Sequence, residues 1–202
     1  TIENAGLFRL WNFGKKVGDT ITGRRKSIST SYESDADFSA ETVLRIAVTT
    51  AKNQERFTPE VIKQLRQVEM EVPDPWTPEI RELFVELLLA GHDAIPVFET
   101  LDELDMFVPF LSEWKPARSR PQRNAYHRFT VDRHLLETAA EAAKLKDRVE
   151  RPDLLVVGAL LHDIGKPYPG DHTEVGIELI STIGRRMGFP VADVQVLTQM
   201  YE

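Results

Sequence analysis

A chain of 202 residues, 42% hydrophobic and 28% charged, can bury one ample apolar core or two small ones and has a globular balance. It has no cysteine, which excludes disulfides, thiolate nucleophiles and thiolate metal ligands. A net charge of −7 argues against a nucleic-acid partner, and the sequence shows neither a membrane-spanning apolar run nor a secretory leader, so a cytoplasmic setting is expected.

Residues 1–38 read as a linker with a partial element. Leu7–Phe13 has the composition of a short strand or of the end of an element. Gly14 to Asp37 is polar, with Gly14, Gly18, Gly23 and the basic run Arg24-Arg25-Lys26. The chain starts on Thr1 and stops at Glu202 within a helical pattern, so both ends read as cuts in a longer protein.

From Ser39 onward the signals are helical. Ser39 caps a helix with Val43, Ile46 and Ala47 on one face. Thr58-Pro59-Glu60 and Thr77-Pro78-Glu79 repeat one start signal: a capping hydroxyl, a proline where no N–H is needed, and an acid at the positive end of the dipole. The first is expected to open a helix to about Val72, stopped by Pro73 and Pro75. The second opens Ile80–Ala90, closed by Gly91. Ala94–Asp105 and Val108–Trp114 read as short helices packed on these.

Thr130 begins a further helix with Val131, Leu135, Leu136 and Ala139 inward. Pro152 opens the next, whose Leu154–Leu161 run is apolar on every side and predicts a helix enclosed by other helices. Residues 173–187 and 190–202 complete an all-α chain.

His162-Asp163 ends that most apolar helix. Burying a charged group there costs several kcal/mol unless it is paired or binds a metal. Ile164-Gly165-Lys166-Pro167 then stops the helix and leaves the pair at a rim. His134 lies one turn into the Thr130 helix, 28 positions earlier, a separation that suits two adjacent packed helices. One histidine on an apolar face is most simply a hydrogen-bonded core residue. Two of them, the second followed at once by Asp and a glycine turn, favour a divalent cation.

Leu160-Leu161-His162-Asp163-Ile164-Gly165-Lys166 resembles the central motif of the HD phosphohydrolase superfamily. Arg118-Ser119-Arg120-Pro121-Gln122-Arg123-Asn124, His127 to His134, and Gly170-Asp171-His172-Thr173-Glu174 resemble, more narrowly, the bifunctional uridylyltransferase/uridylyl-removing enzymes that modify the PII nitrogen-signalling protein. The likeness is strong over residues ~95–202 and vague before. It implies an HD-domain helical bundle over 116–202 preceded by a helical connector over 39–115. It also implies metal ligation by His134, His162 and Asp163, with a fourth ligand, an Asp, beyond position 202 and a His pair directly after Glu202. The implied cofactor is Mn2+ or Mg2+. The implied reaction is hydrolysis of a nucleotidyl-tyrosine phosphodiester on PII, uridylyl or adenylyl, releasing the nucleotide.

In that scheme Lys166 meets phosphate charge, against the plainer role of a helix-end lysine facing the dipole. His127 and His172 are candidates to orient a ligand, protonate the leaving tyrosinate or hold a second metal, against a packing role. Six basic residues between 115 and 133 face one acid, Asp132, and Arg118 and Arg123 from this stripe are expected to fork phosphate. His92 reads as structural. Two other functions stay open at this point: an HD hydrolase of a free nucleotide or RNA end, and a catalytically incomplete regulatory helical module.

Overall fold

The computed structural model describes residues 38–121 and 130–201. Arg123, His127 and nearly all of the expected linker over 1–38 lie outside the described residues. Residues 37–202 belong to one compact unit. Its described part has eight α-helices and no strand: α1 Ala40–Lys52, α2 Pro59–Leu65, α3 Pro78–Leu89, α4 Ile95–Glu103, α5 Val131–Ala143, α6 Pro152–Leu161, α7 His172–Arg186 and α8 Val191–Gln199. Among them no helix is long and apolar enough to cross a membrane.

The helix starts are built as the sequence expects. Ser39 Oγ accepts the Thr42 N–H at 3.3 Å, and the Thr58 and Thr77 hydroxyls accept from Val61 and Ile80 at 3.3 and 3.2 Å. Each satisfies one donor that the first helical turn leaves open. Gly91 closes α3 with a φ of +67°, a conformation in which only glycine escapes a steric penalty.

Two expected helices are shorter. After Thr58 the helix ends at Leu65, not near Val72. Val68, Met70 and Val72 are half-buried while Glu69 and Glu71 between them are exposed, a period of two that belongs to extended backbone. That segment carries Trp76, whose backbone N–H donates to the carbonyl of Arg186 at 2.7 Å. In the same way, Val108–Trp114 is a turn followed by a single 3₁₀ turn, Ser112–Trp114, because Pro109 cannot donate the hydrogen bond a continuous helix needs.

The core has two connected parts. Trp76, Phe84, Phe98, Phe107, Phe110 and Trp114 form an aromatic cluster around α3, with Trp76–Phe84 and Phe107–Trp114 centroids 5.2 and 4.9 Å apart in edge-on geometry. Against it lies α6, covered by α3, α5 and α8, with Leu154, Val156, Val157, Leu160 and Leu161 buried. The enclosed helix that the Leu154–Leu161 run predicts is what forms. α5 packs along α6, and this pairing positions the site.

Candidate metal centre

α5 buries Val131, Leu135, Leu136 and Ala139 against its neighbours, which turns His134 toward the C-terminal end of α6. α6 runs out at Leu161, and His162 caps it. The two elements therefore bring together residues 28 positions apart. His134 Nε2 lies 3.2 Å from His162 Nε2 and 3.4 Å from Asp163 Oδ2, and His162 Nε2 lies 3.2 Å from the same oxygen. Among the described residues this is the one group of three potential donors close enough to share an ion.

Its surroundings orient it. His162 Nδ1–H donates to the Ala159 carbonyl at 2.8 Å, which fixes the ring and presents Nε2 as the lone-pair atom of the neutral imidazole. Burial opposes protonation of His162, but the hydrogen bond and charge of Asp163 outweigh it and raise the ring's pKa. Burial also pushes the Asp163 carboxyl up, while hydrogen bonds from the protonated form of His162 and from Lys166 prevail and hold it at about 2. Two imidazoles and an anionic carboxylate converging from two elements are a chemically suitable set for a divalent transition metal or Mg2+. A triad this crowded with lone pairs, at most a third exposed to solvent, fits a cation better than it fits packing.

The other expected site residues fall in different places. Lys166 is held on Asp163, its Nζ 2.6 Å from Oδ2, and not on the helix-end carbonyls. His172 is exposed at the first position of α7, outside the three-donor group, beside Asp171, whose carboxylate caps that helix through the Thr173 and Glu174 N–H groups. Arg118 is already engaged: its guanidinium binds Asp102 and Asp105 at 2.7 Å each and also the Asp102 carbonyl. These partners raise its pKa, led by the hydrogen bond it donates to Asp102. Arg133 from the same basic stripe bridges Glu99 and Glu137. His92 sits 3.2 Å from both Glu137 and Glu141, in keeping with a structural role.

Sequence reading missed Arg120 as part of this centre. Its guanidinium donates to the Pro167 carbonyl at 2.5 Å and grips the far end of the turn that begins at His162. The turn's proline and the adjacent basic stripe are both visible in the sequence, but not their contact.

Comparison with known proteins agrees with the geometry. Residues 131–199, spanning α5 to α8, match the HD domain family. The chain is 42% identical over 157 residues to the bifunctional uridylyltransferase/uridylyl-removing enzyme of Streptomyces coelicolor, covering 78% of this chain and 19% of that protein. It is 39% identical over 158 residues to the enzyme of the same name from Mycobacterium tuberculosis, covering 78% and 20%. For the Corynebacterium glutamicum enzyme the figures are 35% over 122 residues, covering 60% and 18%. The chain thus spans about a fifth of the length of these relatives. Residues 131–199 thus match the HD domain family, and most of the chain is similar to a segment of these uridylyltransferase/uridylyl-removing enzymes.

Proposed function

We propose that this chain supplies the nucleotidyl-removing site of a bifunctional, cytoplasmic nucleotidyltransferase, hydrolysing the phosphodiester between a uridylyl or adenylyl group and a tyrosine of PII. The observation that carries this reading is the meeting of His134 Nε2, His162 Nε2 and Asp163 Oδ2 at 3.2–3.4 Å. These three side chains would hold Mn2+ or Mg2+, which when bound polarises a phosphoryl oxygen and acidifies water.

The chain's own residues do the rest. Asp163 stays anionic through the working pH range because its neighbours hold its pKa at about 2. Lys166, two-fifths exposed on its ion pair with Asp163, sits where its ammonium can transfer to a phosphate oxygen. His172 is the described histidine left to deliver a proton to the departing tyrosinate, since His92 is bound by two glutamates. Forked binding of phosphate falls to Arg118, here engaged by acids, and to Arg123, and His127 is a second histidine for the substrate side.

The test compares release of nucleotide from nucleotidylated PII with hydrolysis of free nucleotides and of an RNA end, with and without chelator. Chelator-sensitive release from PII is expected, with free nucleotides and RNA poor substrates. Preference for a free nucleotide or RNA would transfer the site to that substrate class. Turnover that survives exhaustive chelation would rule out the metal scheme, and no turnover on any of them would leave a regulatory helical module.

A further inference from the structure

The end of α8 comes down on the turn that carries His162 and Asp163, and glycines make room for it. A Cβ on Gly158 of α6 would stand 2.6 Å from Met200 Cε, and one on Gly165 in the turn would stand 2.7 Å from Tyr201 Oη. A Cβ on Gly176 of α7 would run into the Tyr201 ring itself. Gly176 is buried inside a helix, where glycine costs about 1 kcal/mol relative to alanine. The ring it accommodates gives a reason for that cost.

The phenol does more than fill the slot. Its O–H donates to the His172 carbonyl at 2.9 Å, and its oxygen sits directly against Gly165, 2.7 Å from where a Cβ there would stand. Burial, aided by the nearby charge of Asp163, holds its pKa above that of free tyrosine, so it remains a neutral hydroxyl able to donate. One oxygen is therefore wedged against the backbone two residues beyond Asp163 while bonded to the first residue of α7. The Ala159 carbonyl orients His162 at the start of the same turn, and Arg120 holds Pro167 at its end.

We infer that Tyr201 is a positioning residue for the donor triad, its hydroxyl fixing the backbone from which Asp163 projects. This rests on the metal-site reading above. Groups that orient ligands without touching the ion change metal affinity by roughly 10- to 100-fold when removed.

The experiment measures Mn2+ binding by the electron paramagnetic resonance of free Mn2+. It uses the 202-residue chain and its Tyr201→Phe, Met200→Ala and His162→Ala variants. Thermal unfolding in chelator and hydrogen exchange at the Gly165 amide accompany it. Tyr201→Phe keeps the ring and is expected to retain the fold, bind Mn2+ roughly tenfold more weakly and exchange faster at Gly165. Met200→Ala loosens the same end of α8 without touching the hydroxyl and is expected to leave Mn2+ affinity unchanged. Wild-type binding that vanishes in His162→Ala but persists unchanged in Tyr201→Phe would overturn the role of Tyr201 and leave the metal site standing. A loss in Met200→Ala equal to that in Tyr201→Phe would assign the effect to packing and overturn it too. A wild type that binds no Mn2+ would overturn both readings.

Discussion

Lys166 Nζ lies 2.6 Å from Asp163 Oδ2, the oxygen that also faces His134 and His162 at 3.4 and 3.2 Å. The ammonium thus holds the carboxylate that a divalent ion would need, and the two cations compete for it. Replacing Lys166 with Met is expected to tighten Mn2+ binding by up to an order of magnitude, since a repelling unit charge is removed at close range. Turnover of an aryl phosphodiester should fall roughly tenfold or more, because phosphate charge loses its partner. Weaker Mn2+ binding in Lys166→Met would contradict the competition.

His162→Ala removes a donor atom and also the Nδ1–H bond to Ala159. Its effect on Mn2+ affinity should exceed about 100-fold, the upper range for orienting groups alone. His162 and His134 are half-buried at a rim and not part of the apolar core. Circular dichroism of either alanine variant should therefore match the wild type while hydrolysis disappears.

Arg151 ties the start of α6 to α8, binding Asp153 at 2.8 Å and Asp193 at 2.7 Å. For Asp153, burial raises the pKa but the Arg151 hydrogen bond prevails and lowers it; for Asp193 the Arg151 bond is the leading cause of a lowered value. A carboxylate with a depressed folded pKa contributes stability that is fully present above its unfolded pKa, about 3.9. That contribution is lost as pH falls through the folded values. Urea midpoints should thus be insensitive to these groups between pH 5 and pH 7 and fall below about pH 4. Asp193→Asn should show a smaller acid decline than the wild type.

Phe84 is 1% exposed and lies within about 6 Å, ring to ring, of Trp76, Phe98, Phe107 and Phe110. Phe84→Ala should cost about 3–5 kcal/mol of stability through lost transfer energy and an unfilled cavity. Calorimetry would show this as a lower Tm. Activity per folded molecule should change little well below that Tm.

Much of this architecture could be read in advance because local signals agreed with tertiary need. Thr-Pro-Glu set two helix starts, and the apolar run before His162 could be satisfied only by enclosure. Two imidazoles and an acid converge because α5 and α6 pack along their apolar faces, which the spacing of Leu135, Leu136 and Ala139 already indicates. What failed to show was long-range pairing. The extended Val68–Trp76 stretch is stabilised by Arg186, more than a hundred positions away, and no local propensity registers that. The acids that engage Arg118, Asp102 in α4 and Asp105 just after it, were likewise not legible as its partners. Arg118, Arg123, His127, Lys166 and His172 keep their expected roles only as proposals.

The helix that ends in His162 has consequences for anyone trimming the gene. Its flank against α3 is apolar, and α3 lies well before the stretch that matches the HD family. A peptide cut to residues 131–199 would present that flank, with Val156 and Leu160 on it or beside it, to water. Such a piece should self-associate before it could be assayed. Useful excisions therefore begin ahead of Ser39, so that the upstream helices travel with the histidines they keep in place.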